Sequence, residues 1–576
     1  MQTYKILTAD AVIVGGGAAG TNAALNLKKL GFDPLLVSKG LVGKSGASIF
    51  AGNLHVAGLM LGNTESDVHD AFDFQVRWFN HFLIDQHYVR SIGSWIPDVF
   101  YPELEEKGFY IRRDDQGSIV TSIGRVRTMG APRQGRSGAM LMDVRRKQLV
   151  KQNVRMLEEA AVTTVLCGSD GKATGVVVLH IPTGEIYVVH AEAVVLACGY
   201  ADRIALRSTG TREQSADGLA LAFRAGAELM NLEIQWWHTS DFAYPVSWQR
   251  MHVYPNPLVG TPETARMYNS DGEMFFEQKS EVPISFAPYV TQQKRLIQQV
   301  MKGKARFDGG FYTSYDHIDP TVIKNFNDHN SAFEKLGLNP GSDKVETAVS
   351  WHFRQGGVNV NPYTMETRVS GLYVAGALGG HSNGSITVAS YDGALVAKTL
   401  SQKLRKQKNE TQARTSNVEA EIARLSALLR PMPNNGIPPM HIKNRIRKLM
   451  WNKMGPIKNG PQMHEALGEL HEIREKLLPK VGLQKTTRSY NYGWMDAIDI
   501  HNMLDVCELT VHGCLRREES RGPFYREDFP FTDNDNWLVK NIISRGERGL
   551  EFRIEPYETP FLKPEFGKRD YFEVDW

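Results

Sequence analysis

Ala11-Val12-Ile13-Val14 is an unbroken apolar run that stops at Gly15. Beyond the glycines that follow, Ala23, Ala24, Leu25 and Leu27 recur at helical spacing, Gly31 offers a stop, and Leu35-Leu36-Val37 is a second apolar run. A short apolar run bounded by glycine predicts a buried strand, and apolar residues three and four apart predict a helix face. The chain therefore opens as strand, glycine turn, helix, strand.

The pattern changes after Ser401. "SQKLRKQKNETQAR" is polar and charged and reads as a linker or solvated helix face. Helical spacing returns over residues 418–429 and 441–478, where Ile446, Leu449 and Met450, then Leu467, Leu470, Ile473 and Leu477, mark one face. The basic stretch "HIKNRIRKLMWNK" reads as the solvated face of a packed helix rather than a membrane-surface helix. Residues 531–576 are rich in Pro, Phe and acids and read as an irregular tail, an extended arm suited to clasping a partner. No internal repeat is visible.

Length and composition narrow the class. A chain of 576 residues exceeds one core, so two to four domains are expected. Its 67 basic and 64 acidic side chains leave a net charge of +3, which gives no reason to expect nucleic acid. The cysteines are Cys167, Cys198, Cys507 and Cys514; no two are spaced CxxC, so no metal or iron–sulfur site is encoded locally. Few cysteines suit a reducing compartment. No apolar run reaches the roughly 18 residues of a membrane span. A cytoplasmic protein is the expectation, with any membrane association made through a partner.

Gly15-Gly16-Gly17-Ala18-Ala19-Gly20 sits where a dinucleotide-binding turn belongs. Gly15 permits the tight turn, Gly17 admits a pyrophosphate to the backbone, and Gly20 lets helix and strand pack closely. The helix N-terminus then faces the phosphates. Such a turn normally leads, about 20 residues on, to an acid that holds a ribose hydroxyl. Here that place reads Val37-Ser38-Lys39.

The residues that follow answer the missing acid. Ser38-Lys39, Lys44-Ser45-Gly46-Ala47-Ser48 and Ala51-Gly52-Asn53 resemble the flavin loop of the fumarate reductase and succinate dehydrogenase flavoprotein superfamily. Further motifs follow in family order: "AEAVVLACGY" (191–200), "SADGLALAFRAGAELMNLEIQWWH" (215–238), "WHFRQGGV" (351–358), "VSGLYVAGALGG" (369–380) and "EESRGPFYREDFP" (518–530). The resemblance implies an α/β fold. A Rossmann-like FAD-binding domain would span 1–235 and 351–400 and close one parallel sheet. A capping domain would fill 236–350, a helical domain 401–530, and the tail 531–576. It also implies that Ser38 stands in for the ribose acid. The cofactor FAD would be held by Gly15, Gly17, Ala18, Ala19, Gly20, Ser38, Lys39, Lys44, Ser45, Gly46, Ala47, Ser48, Gly52, Asn53, Val162, Ala197, Cys198, Gly199, Asp217, Gly376, Ser385 and Ile386.

Departures from the family pattern carry functional information. Gly46 stands where succinate and fumarate enzymes carry the His that links FAD, so the flavin is expected to be non-covalent. His238 and His352 align with two family substrate histidines and are the expected catalytic pair. The arginine of the R-D-V-V segment is replaced by Pro288 or Tyr289, with Lys294 and Arg295 the nearest bases, and "GGHSNGSITVAS" has no arginine at all. Carboxylate recognition favours a bidentate arginine, so a C4-dicarboxylate is disfavoured; Arg266 is the remaining candidate for an anion contact. Ala377 replaces the family's ribose-contacting Glu. Adjacent Trp236 and Trp237 must face opposite ways on a strand, one walling the flavin pocket and one in the core, or both in the core. "KSGAS", "NGSIT" and "ESRGPFYREDFP" lean toward the adenylylsulfate reductase alpha-subunit branch. The expected function is an FAD-bearing oxidoreductase subunit. It would exchange electrons between a small anionic substrate at flavin N5 and an iron–sulfur electron-transfer subunit. The alternatives are an adenylylsulfate reductase alpha subunit, a self-sufficient oxidase like L-aspartate oxidase, and a non-catalytic flavin relay.

Overall fold

The computed structural model describes residues 4–51, 72–110, 115–116, 137–245, 248, 265–277, 288–320, 333–339, 341–381, 385–404 and 415–574. The apolar run at the start of the chain ends β1 (Lys5–Val14), whose last four residues are buried. β1 pairs in parallel with β2 (Pro34–Val37) and β6 (Glu185–Leu196), and β2 pairs in parallel with β3 (Arg155–Leu157). The helix Ala18–Lys29 crosses between β1 and β2 and packs on the helix Ile386–Lys403.

The sheet is mixed, not purely parallel as expected. β5 (Ala173–His180) runs antiparallel to both of its neighbours, β4 (Ala160–Cys167) and β6. Short turns join them, and a short turn can connect only antiparallel neighbours. β6 is long enough to serve both arrangements. Its first half pairs with β5, and Val194–Leu196 pair in parallel with β14 (Leu372–Val374), which returns from late in the chain.

A second sheet, antiparallel throughout, has the order β10 (Met274–Phe276), β9 (Arg266–Tyr268), β11 (Phe311–Ser314), β12 (Val345–Arg354), β8 (Gln235–Phe242). Trp236 and Trp237 do face opposite ways on β8. Trp236 stacks with Phe79 and Phe353, and Trp237 meets Trp351 and Trp451 edge-on. Both are buried in packed clusters.

The helical face predicted after residue 415 is present as Thr415–Leu428, Pro439–Lys453 and Gly460–Glu472, followed by the long helix Tyr492–Arg516. Val418, Ile422, Leu425, Trp494 and Ile498 of these helices pack against Val177, Leu179 and Val188 of the antiparallel strands. That contact seats the helical region on the first sheet.

The tail differs from its sequence reading. β18 (Val539–Gly546) and β19 (Gly549–Pro556) form a hairpin, and β18 adds to β7 (Leu229–Met230), which pairs with β13 (Gly357–Val358). β17 (Phe531–Asp533) pairs with β20 (Lys568–Asp570), and β15 (Ile457–Lys458) pairs with β16 (Tyr525–Arg526). Ile542, Ile543, Tyr571 and Val574 are buried against the same chain. The strands are joined by the two-residue turn Glu547-Arg548, closed by the Gly546–Gly549 pair, and those two residues carry none of the usual hairpin signals.

Candidate active site

β1 ends at Gly15, whose N–H donates to the Val37 carbonyl at 2.8 Å. Its φ of +123° is closed to most side chains, and a Cβ there would sit 2.1 Å from the Ala197 carbonyl oxygen. A Cβ on Gly20 would meet the Gly15 carbonyl at 1.9 Å. These two glycines let strand, turn and helix close on one another. Gly17 caps the helix Ala18–Lys29, and the Ala18 N–H donates to Ser48 Oγ at 3.1 Å.

In front of this turn lies a cavity. Gly15, Gly17, Ala18, Ala19, Ser38, Lys39, Ser45, Gly46, Ala47 and Ser48 line one side. Val162, Ala197, Cys198, Gly199, Asp217, Gly376, Ser385 and Ile386 line the rest. Gly20 lies behind the wall as a packing residue. Lys44 turns outward to an ion pair with Asp143. Gly52 and Asn53 lie outside the described residues. Ala377 is in the wall and brings no carboxylate.

The structure adds residues that the motifs do not contain. Glu213 stands in the same wall as Ser38 with its carboxylate near Gly40, although it lies far from both in sequence. Gln214 also lines it, next to Tyr200, the last residue of the 191–200 motif. The Cys198 thiol reaches the Val14 carbonyl at 3.5 Å, and burial pushes its pKa up to about 12. It is a packed thiol, not a nucleophile. A glycine-walled cavity at a helix N-terminus fits a dinucleotide pyrophosphate. At Gly46, with φ +75° and open space where a Cβ would be, the wall has no side chain to form a covalent link.

A second group of residues lies on β8 and β12. Their register slips twice, between Ala348 and Ser350 and between Trp351 and Phe353. The rings of His238 and His352 come to 5.3 Å, centre to centre. His238 is buried, and its Nδ1 lies 2.7 Å from the Asp241 carboxylate, which fixes the ring. His352 Nδ1 lies 2.8 Å from Thr209 Oγ1, and the Thr209 N–H donates to the Trp351 carbonyl. Neither ring lines the dinucleotide cavity. The link runs through Phe353, which packs against both His352 and the cavity residue Tyr200.

Arg266 is not brought to this pair. It sits on β9, two strands from β12, with Nε 2.7 Å from Glu277 and Nη1 3.6 Å from Asp316. Lys294 donates to the Val574 carbonyl at 2.7 Å, and Arg295 bonds Gln298. The arginine nearest in sequence to Thr209, Arg207, is buried with its guanidinium on the carbonyls of Val349 and Phe242. Asp202 has no motif to signal it. It is fully buried just past Tyr200; burial pushes its carboxyl up to about 7, against the pull of Arg354 and Gln235.

Among the described residues no cluster of His, Cys, Asp or Glu could hold a metal ion, and no helix is long and apolar enough to cross a membrane. Cys507 and Cys514 lie on the helix Tyr492–Arg516, both buried; burial raises both thiol pKa values, that of Cys514 to about 12.

Comparison with known proteins agrees with this architecture. Residues 10–390 match the family model of an FAD binding domain, and residues 443–571 match that of the fumarate reductase flavoprotein C-terminus. The chain is 26% identical to one subunit of the fumarate reductase (CoM/CoB) of Methanothermobacter marburgensis, over 94% of this chain and 98% of that one. Among solved structures, E. coli quinol fumarate reductase superposes with a TM-score of 0.84 at 21% identity, over 97% of this chain and 98% of that one. Adenylylsulfate reductase of Archaeoglobus fulgidus superposes with 0.78 at 18% identity, over 98% of each. The two family models together span the flavin turn, both histidines and the C-terminal hairpin, so the chain belongs to the fumarate reductase/succinate dehydrogenase flavoprotein family and is an FAD-dependent oxidoreductase.

Proposed function

We propose that the chain is the flavin-bearing subunit of a redox complex. It would act on a small anionic substrate and exchange electrons with a separate iron–sulfur protein. The observation that carries this reading is the pairing of His238 with His352 beside the cofactor cavity, each ring held by a second residue. FAD, when bound, supplies the acceptor and donor of two electrons.

The chain's own residues do the rest. Gly15, Gly17 and the N-terminus of the helix Ala18–Lys29 receive the pyrophosphate, with Ser48 ordering that N-terminus. Ser38 and Glu213 are the acceptors available to ribose hydroxyls. Gly46 leaves the cofactor non-covalent. Asp241 holds the His238 imidazole with its proton on Nδ1 and stabilises the ring when it is charged. Thr209 orients His352. Two oriented imidazoles can hold or pass a proton to a substrate oxygen and stabilise negative charge there. The family arginine positions read Pro288 or Tyr289 and "GGHSNGSITVAS", without an arginine, which supports a substrate other than a C4-dicarboxylate. Electron transfer to a partner is supported by the chain's cysteines, which are too few and too scattered for a cluster.

Purification of the tagged chain from its native source tests this. Co-purification of a cysteine-rich protein with iron and acid-labile sulfide is expected. A lone, stable oligomer that turns over with oxygen alone would replace the complex with the self-sufficient oxidase.

A further inference from the structure

Lys39 lies in the cavity wall, yet its ammonium is committed to protein. Nζ donates to Ser215 Oγ, Asp217 Oδ2 and Asp499 Oδ1, each at 2.7 Å. An ammonium has three N–H donors, so these contacts use all of them. Burial works against its charge, but the facing carboxylates outweigh that and hold its pKa well above the ordinary lysine value.

Two of the partners sit far apart along the chain. Asp217 opens the helix Asp217–Arg224 and also lines the cavity. Asp499 belongs to the helix Tyr492–Arg516. Its other oxygen accepts from Lys443 Nζ at 2.6 Å, and Lys443 also donates to Asp496 at 2.8 Å. The second oxygen of Asp217 accepts from Ser215 Oγ and from Asn502 Nδ2, each at 3.0 Å. Asp496, Asp499 and Asn502 recur every three residues, one polar stripe on one helix face. That stripe reaches the cofactor wall at Lys39 and Asp217.

The arrangement has an electrostatic consequence. The wall must accept an anionic pyrophosphate while presenting the Asp217 carboxylate. Lys39 and Asn502 occupy both carboxylate oxygens, so the position of Asp217 depends on a helix from the far end of the chain. We propose that Asp499 and Lys443 are positioning residues for the FAD site, and that FAD binding and docking of the C-terminal helices are coupled through Lys39. Coupling of this kind is reciprocal: whatever the helices add to FAD affinity, FAD adds to their docking. The proposal rests on the cavity being the FAD site.

Asp496 provides the control. Among the described residues its carboxylate bonds Lys443 and neither Lys39 nor Asp217, so a seam that acts only through Lys443 would treat Asp496→Asn and Asp499→Asn alike. Apoprotein is titrated with FAD, and binding is read from flavin fluorescence. Asp499→Asn is expected to raise the FAD dissociation constant about ten-fold or more, and Asp496→Asn less than two-fold. In the wild type, FAD is expected to slow amide hydrogen exchange across Trp494–Asn502. That comparison needs no variant and stands if Asp499→Asn fails to fold. Wild-type affinity in Asp499→Asn, equal weakening in both variants, or wild-type exchange indifferent to FAD would each overturn the coupling. Failure of the wild type to bind FAD would overturn the cofactor assignment itself.

Discussion

Asp202 gives a prediction that can be worked in numbers. Its carboxyl is displaced from an ordinary 3.8 to about 7, chiefly by burial. The folded state therefore holds this proton more tightly than the unfolded chain does. The stability it contributes is full below pH 3.8 and is lost as pH rises toward 7. The whole displacement corresponds to roughly 4 kcal/mol, of which about 3 kcal/mol falls between pH 5 and pH 8. Asn has the same shape and no proton to lose, so Asp202→Asn should remove this pH dependence. For a chain of 576 residues unfolding cooperatively, about 3 kcal/mol is about 2 °C in Tm. The assay is thermal unfolding of wild type and variant at several pH values. The variant should gain on the wild type by about 2 °C between pH 5 and pH 8. Parallel curves would show that Asp202 stays ionised in the fold, held by Arg354, and would refute the argument.

Other tests address the site. His238→Ala and His352→Ala should each keep FAD bound and lower turnover by roughly 100-fold or more; unchanged turnover in both would favour a flavin relay. Acid precipitation should release all yellow colour into the supernatant, and flavin fluorescence remaining on the chain in a denaturing gel would refute non-covalent binding at Gly46. Dye-linked turnover of succinate or fumarate should be poor and unaffected by Arg266→Ala, because Glu277 and Asp316 hold that guanidinium on β9; brisk turnover abolished by the substitution would give Arg266 the anion-binding role.

Local sequence was enough to specify the cofactor turn. A left-handed φ at Gly15 and the carbonyl contacts at Gly15 and Gly20 are demands of a few neighbouring residues, and only glycine meets them. The apolar runs of β1 and β2 and the helical faces after residue 415 are legible for the same local reason. The tail is not, because its overall composition hides the alternation of its hairpin. Long-range packing settled the rest. Glu213 enters the same wall as Ser38, and nothing local says so. Lys39 reads as a cofactor contact in its motif, yet its three donors go to Ser215, Asp217 and Asp499 once the C-terminal helices are in place. His238 and His352 meet because two strands pair antiparallel with irregular register, and Arg266 lies two strands from His352 and three from His238 in the same sheet. Backbone conformation is set by the residue and its neighbours. Which charges face each other is set by contacts between distant segments, which no short stretch of sequence contains.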